Sequence, residues 1–322
     1  MLDTPVASDF PTLNRAYNTV FRPERLSIGL VLPLEAFPVG SAPTMAGHLE
    51  MARLAEELGF SALWLRDVPF DVPSFGDVGQ VFDPFVYLGA LAATTRRIAL
   101  GTSSIILPLR HPAHVAKAAA SADVLSDGRL LLGIASGDRP EEYPALNMDY
   151  AGRGTRFRES VAYMRAMTEA YPRHSGSHGQ LTGQIDMLPK PTGDRIPMLV
   201  TGGSQQSPDW VAQNGDGWMT YPRDAAAQGR VIADYRNRIA AAGLANKPVM
   251  QSLYVDLLDA PSAQPRPIHL GFQSGTDFLR HYLQDIQTLG INHVALNLRF
   301  NQAPIDQTLK RLAEDLLPDF SH

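Results

Sequence analysis

Short β-rich runs alternate with helical patterns along almost the whole chain, and this alternation limits the fold more than any other feature. The runs occupy residues 27–35, 61–69, 98–106, 129–136, 197–202, 217–221, 248–258 and 293–298. Helical patterns follow them at 43–58, 85–95, 113–125, 154–171, 208–213, 225–242, 276–289 and 304–316. In the first of these, Met45, Leu49, Ala52, Ala55 and Leu58 recur at three- and four-residue steps, the period of one helix face. Gly59 then supplies the left-handed turn that ends the helix. Strict alternation implies a parallel sheet with right-handed crossovers. Eight units close a barrel, whereas a doubly wound open sheet usually needs fewer. The strands are near-continuous apolar runs, as strands buried on both faces require. The expectation is an α/β chain folded as a (β/α)8 TIM barrel, one domain over 1–322, with residues 1–26 an N-terminal extension packed on it.

Three segments interrupt the rhythm as insertions. Residues 70–84 follow the second strand and 259–275 follow the seventh. Both leave strand C-termini, the barrel face where active sites sit. They read either as lids or as exposed connectors. Phe70, Phe75, Phe82 and Phe272 lie on them and are expected to line an apolar substrate pocket. The third segment, 172–196, follows the fourth helix. It is expected mostly on the opposite face, with a small hairpin through GQLTGQIDML.

Composition narrows the function classes. A hydrophobic share of 44% suits a chain with a large core. A net charge of −5, scattered without blocks, lacks the basic footprint of a nucleic-acid binder. With no cysteine there is no disulfide, zinc-thiolate site, iron–sulfur cluster or thiol nucleophile. The first residues show no signal-peptide pattern, and no run of about 18 apolar residues suggests a membrane span. A cytoplasmic location is the expectation.

Several strand ends carry candidate chemistry. Thr201-Gly202-Gly203-Ser204-Gln205-Gln206-Ser207 lies between a strand end and a helix start. It reads as a phosphate cradle, where glycines admit a ligand to the backbone and a helix N-terminus offers free N–H groups. It reads equally as a tight turn with a serine cap. Gly133 to Asp138 places two glycines at another strand end, for close approach of a ligand or for barrel geometry. Arg153 and Arg156 open the next helix, where their charge opposes the dipole unless an anion offsets it; surface arginines are the plainer reading. Asp67 ends the second strand, as a site residue or as the partner of Arg66. Ser103-Ser104 interrupts the third strand, as a bulge or as a small-residue layer. His111 and His114 have a spacing that permits a shared ion, but no acidic or third histidine partner is placed by sequence, so a helix cap is the better reading. No G-x-S-x-G elbow, Walker A loop or HExxH occurs.

Two longer runs join these pieces. LGTSSIILPLRHPAHVAKAAASADVLSDGRLLLGIASGD (100–138) and PMLVTGGSQQSPDWVAQNGDGW (197–218) together resemble the luciferase-like monooxygenase family, in its order along the chain. Similarity runs from about residue 26 to 218, and the last third matches only in its βα rhythm. The resemblance implies a flavin site. In it Ser103-Ser104 carries a non-prolyl cis peptide beneath the isoalloxazine ring, and Asp67 is the acidic residue near the flavin, the one candidate for a catalytic role. Ala135 and Ser136 lie beside the ring and phosphate tail. Arg156, Ser204 and Ser207 are phosphate ligands, and Thr201, Gly202 and Gly203 give backbone contacts. There are two departures. Val68 stands where many relatives have His, and Ser136 stands where some have a phosphate-binding Arg, for which Arg139 or Arg153 would have to substitute. The WLRDVPF pattern resembles one bacterial branch of the family.

The resemblance implies a two-component monooxygenase that takes reduced FMN from a flavin reductase and uses O2 on a small organic substrate, in a homodimer as often in the family. An F420-dependent hydride-transfer enzyme is the second reading, weakened by Val68. A flavin-binding protein without turnover is the third. A flavin-free lyase or isomerase ranks last, because no lysine falls at a strand end.

Overall fold

The computed structural model describes residues 9–320, so the first eight residues of the expected N-terminal extension lie outside the described residues. Helix α1 (Arg15–Val20) precedes β1 (Ser27–Val31), α2 (His48–Glu57), β2 (Ala62–Leu65), α3 (Pro84–Thr94) and β3 (Ala99–Ile106). Then come α4 (Pro112–Leu125), β4 (Leu130–Ala135), α5 (Glu142–Ala145), α6 (Arg153–Ala166), β5 (Arg173–Gly176) and β6 (Gly179–Thr182). The chain continues through β7 (Met198–Thr201), α7 (Pro208–Asn214), β8 (Gly217–Thr220), α8 (Ala225–Ala241) and β9 (Val249–Leu257). It finishes with β10 (Arg266–Ile268), β11 (Gly271–Ser274), α9 (Thr276–Thr288), β12 (His293–Asn297), α10 (Ile305–Asp315) and α11 (Leu317–Phe320). Strands β1, β2, β3, β4, β7, β8, β9 and β12 pair in parallel in that order, and β12 returns to β1. This closed ring of eight, with helices between its strands, is the expected (β/α)8 barrel.

Three of the loops leaving the strands end in the same helix-starting device. Asp83, His111 and Ser207 each cap a helix by accepting a backbone N–H, and a proline follows at the first helical position. There its missing N–H costs nothing and its fixed φ is already helical.

The core has two layers, as the period-2 alternation of barrel strands requires. One side-chain set packs between strands and helices. The other fills the barrel, with Val31, Ala62, Trp64, Ala99, Leu131, Leu199, Met219, Met250 and Ala295, and is closed from below by Tyr17, Val20 and Phe21 of and beside α1. Two glycines make this interior possible. A Cβ on Gly101 would stand 2.3 Å from Trp64 Cε3, and one on Gly29 would stand 2.8 Å from the His293 ring. Those two rings share the barrel foot, where Trp64 Nε1 donates to His293 Nε2 at 2.8 Å.

Two segments differ from expectation. The hairpin after α6 is β5–β6, so it starts before GQLTGQIDML and uses only its first four residues as a strand. It also climbs back along α6 rather than staying at the foot. Its tip residue His178 meets Ser160 Oγ at 3.1 Å, and its carbonyl meets Nε2 of His111, the cap of α4 at the mouth. The exposed polar pattern of 173–182 gives no sign of this direction, which packing on α6 decides. Segment 259–275 is not all loop. It contains the β10–β11 hairpin, with β11 parallel to the far end of β9.

Candidate active site at the barrel mouth

The C-terminal strand ends bring most of the sequence candidates to one opening. The peptide between Ser103 and Ser104 is cis, and the β3–β4 register shifts between Thr102 and Ile105. Ser104 thereby reaches the interior, where its hydroxyl bonds that of Thr201 and lies 3.7 Å from Met219 Sδ. Ala135 pairs with Ile106 at the neighbouring strand end. Ser136 is buried, and its carbonyl accepts the Tyr143 hydroxyl.

The 201–207 loop is a turn with spare donors. Gly202, Ser204 and Gln205 all have positive φ, at 53°, 44° and 61°. Such a run of left-handed residues curls backbone N–H groups toward one side. Gln206 N closes the turn on Gly203 O at 2.8 Å, while the amides of Gly203, Ser204 and Gln205 donate to no described residue. The two readings of its serines separate here. Ser204 spends its hydroxyl proton on Thr201 O at 2.7 Å, so as it stands it offers no donor to an anion. Ser207 caps α7 by accepting Trp210 N at 3.2 Å, which leaves its own proton free.

The first turn of α6 lies against this loop, since a Cβ on Gly154 would come 2.8 Å from Gln205 Cβ. Gln206 Nε2 ties the two together through Gly154 O at 2.7 Å. Arg153 stacks on Tyr150 at 3.7 Å, and Arg156 donates through Nη2 to Asp149 O. The Nε atoms of both arginines are buried with no hydrogen-bond partner. Unpaired charged donors beside unused amides form a set that an oxyanion would complete. The donor set therefore fits a phosphate group.

Asp67 stands just past the end of β2 at the mouth, and its partner is Arg110. Its carboxylate receives Arg110 Nε at 3.0 Å, Arg110 Nη2 at 2.7 Å and Ile106 N at 3.0 Å, with the side chain only 2% exposed. Burial disfavours the Arg110 charge, but the bonds to Asp67 and Asp83 outweigh it and hold the guanidinium charged. The Arg66–Asp67 pair does not form. These three donors tie the carboxylate to the end of β3 and to Arg110, so it fastens the end of β2 in place.

Arg66 pairs instead with Asp77, on the strap that follows β2. Burial raises the Asp77 carboxyl, but the Arg66 and Arg299 charges prevail and bring it below the usual carboxylate range. Arg299 Nη1 reaches Asp77 Oδ2 at 3.0 Å, and Arg139 Nη2 reaches Asp77 O at 3.0 Å. Burial pushes the carboxyl of Glu142 up to about 7. Arg110, Asp77, Glu142 and Arg299 were not singled out from sequence. Arg299 had a usable signal, since it stands just past the eighth strand, as Asp67 stands past the second.

Of the four phenylalanines on the two segments, Phe70 is exposed and the others make separate ring contacts. Phe82 packs on His48 and Tyr87, and Phe272 packs on Phe278 and Tyr282 against α9. Phe75 does face the mouth cluster, 4.8 Å from the Arg139 guanidinium. His111 uses Nδ1 to accept Ala113 N and Nε2 toward His178 O, so both ring nitrogens are engaged. Among the described residues no group of three or more His, Asp or Glu is placed to hold a metal ion, and no helix is long and apolar enough to cross a membrane.

Residues 26–286 match the family described as Luciferase-like monooxygenase. An uncharacterized protein of Mycobacterium tuberculosis is 32% identical, over 68% of this chain and 82% of its own length. The oxygenase component of the flavin-dependent trigonelline monooxygenase of Acinetobacter baylyi is 28% identical, over 52% of this chain and 46% of its own. Among solved structures, an F420-dependent secondary alcohol dehydrogenase in complex with an F420-acetone adduct superposes with a TM-score of 0.74 at 18% identity, covering 91% of this chain and 98% of its own.

Proposed function

The chain belongs to the luciferase-like monooxygenase family, and from that premise we propose that it is the oxygenase half of a two-component system, taking reduced FMN from a separate reductase and acting on a small organic substrate with O2. It is an enzyme of the flavin-dependent oxidoreductase type. One observation supports the cofactor reading above all: the unpartnered, buried Nε atoms of Arg153 and Arg156 beside the unused amides of residues 203–205.

When bound, reduced FMN supplies the electrons that activate O2. The chain's own residues hold and shield it. Arg153, Arg156, the loop amides and the free proton of Ser207 take the phosphate, with Gly202 and Gly203 giving the backbone room to approach it. Ser204 serves through its amide and by closing the turn. Ser103, Ser104 and Thr201 form the polar floor of the mouth, with Ala135 and Ser136 on one side. Asp67 acts on the cofactor only by fixing the β2 and β3 ends around it. Met219 and the apolar interior below exclude water from the reacting face. The reductase partner is supported by the likeness to an oxygenase component.

F420-dependent hydride transfer is the second reading, favoured by the fold shared with the alcohol dehydrogenase and opposed by Val68. Titration with FMN, reduced FMN and F420, read by tryptophan fluorescence and melting temperature, separates them. Saturable stabilisation by either FMN form is the expected result. Preference for F420 would move the reaction to hydride transfer, and a response to none would remove the cofactor assignment. Reduced-flavin oxidation uncoupled from every substrate would instead indicate a flavin binder without turnover.

A further inference from the structure

Arg129 shows how a purely structural buried arginine is treated in this protein. It is 2% exposed, and its guanidinium makes five bonds, to Ser126 O, Thr95 Oγ1, Ile98 O, Ala92 O and Thr95 O, at 2.7–3.2 Å. Arg139 and Arg299 are almost as deeply buried, at 6% and 5%. Each nevertheless keeps one buried N–H without a partner, Nη1 in Arg139 and Nε in Arg299. Leaving a charged donor dry and unpaired is costly, and folded proteins rarely do so without a function for it.

Both arginines converge on one turn of the strap. Arg299 reaches Asp77 Oδ2 at 3.0 Å and Gly76 O at 2.7 Å, and Arg139 reaches Asp77 O at 3.0 Å. Arg66 arrives at the same carboxylate from the end of β2. Three guanidinium groups from the ends of three barrel strands thus share a single aspartate. Glu142 Oε1 lies 3.9 Å from Arg139 Nη1, beyond hydrogen-bond reach, and is itself unpartnered, while the Asp138 charge also acts on Arg66. Aromatic rings flank the cluster, with Phe75 against Arg139 at 4.8 Å and Phe37 and Phe300 against Arg299 at 4.4 and 5.5 Å.

We propose that this cluster is the anion-binding end of the substrate site, and that the substrate is a small organic carboxylate with an apolar body, an inference that rests on the oxidoreductase reading above. Asp77 holds the place of the substrate's carboxylate. When substrate enters, its carboxylate replaces Asp77 on Arg66 and Arg299 and takes the spare N–H groups of Arg139 and Arg299. The strap moves aside with Asp77. A carboxylate matches the planar guanidinium fork, and the resident ligand is itself a carboxylate. The rings of Phe37, Phe75 and Phe300 suit an apolar body next to it.

Asp77→Asn tests this directly, because it removes the internal competitor with almost no change of shape. Benzoate and hexanoate, with benzamide and hexanamide as neutral matches, are titrated into the flavin-free full chain and followed by calorimetry and melting temperature. Saturable binding of a carboxylate is expected, about tenfold or more tighter in D77N than in the wild type, and about tenfold or more tighter than its amide. No saturable carboxylate binding in either protein, or equal binding of the amides, would overturn the proposal. If D77N does not fold, Arg139→Gln in the otherwise unchanged chain decides: a loss of about tenfold in carboxylate affinity supports it, and unchanged affinity overturns it. FMN binding is measured on the same samples. Carboxylate binding without an FMN response would remove the cofactor reading alone, and FMN binding without carboxylate binding would remove this inference alone.

Discussion

Acid should weaken the barrel through one imidazole. His293 is fully buried at the foot of the barrel. Trp64 Nε1 donates to its Nε2 at 2.8 Å, so Nε2 is an acceptor and Nδ1 carries the proton. Nδ1 donates to Ser27 Oγ at 2.7 Å, and Ser27 passes its own proton to Val20 O at 2.8 Å. Every direction in this chain is fixed, and a second proton on the ring would face the indole N–H. Burial pushes the His293 pKa down to about 3, from an ordinary 6.5. The unfolded chain therefore takes up a proton below pH 6.5 that the native state refuses. The stability this group contributes is whole above pH 6.5 and is lost as pH falls toward 3. The difference of roughly 3.5 units, at about 1.4 kcal/mol each, amounts to about 5 kcal/mol in full and about 2 kcal/mol at pH 5. Glu142 acts in the opposite sense: its raised carboxyl contributes stability below pH 4.5 that is lost as pH rises through about 7. A comparison with His293→Gln cancels that shared contribution. Urea unfolding at pH 7.5 and pH 5.0 should show the wild type losing about 2 kcal/mol more than the variant between the two conditions. Equal losses would refute the neutral, locked imidazole.

Other consequences concern the mouth and the core. Ser204→Asp puts a carboxylate into the candidate phosphate loop at a φ of 44° that Asp tolerates, and FMN affinity should fall about a hundredfold by fluorescence titration; normal affinity would end the phosphate assignment. Arg156→Gln should weaken FMN about tenfold with little change in melting temperature. Asp67→Ala should cost about 3 kcal/mol in urea unfolding, because Arg110 and the Ile106 amide lose their partner while Asp83 still holds Arg110 in part. Gly101→Ala should cost about 1–3 kcal/mol or more, since its methyl would overlap the Trp64 ring, and the loss should show as altered indole fluorescence as well as lower stability.

Much of the frame was legible in the residues because it depends on local periodicity. The run expected at 98–106 forms β3 at Ala99–Ile106, and the pattern at 208–213 forms α7 at Pro208–Asn214. Apolar strand runs, a polar cap followed by proline, and a glycine at a helix end all act within a few residues, so a linear reading captures them. The loop 201–207 was equally visible, since small residues between a strand end and a helix start restrict what the backbone can do there.

The partners of charged side chains were beyond such a reading. Asp67 could be matched by sequence only to its neighbour Arg66, whereas the barrel brings it Arg110 from beyond β3. Asp77 meets Arg299 because β12 closes the ring beside β1, which puts the last strand end over the strap that follows the second. The side on which Phe272 packs was decided by β11 pairing with β9, and the climb of the β5–β6 hairpin by its seat on α6. Local sequence determined which elements form and in what order. Only closure of the barrel decided which charges share the mouth, since that depends on contacts between residues far apart in the chain and on the burial that leaves some of their donors unpaired.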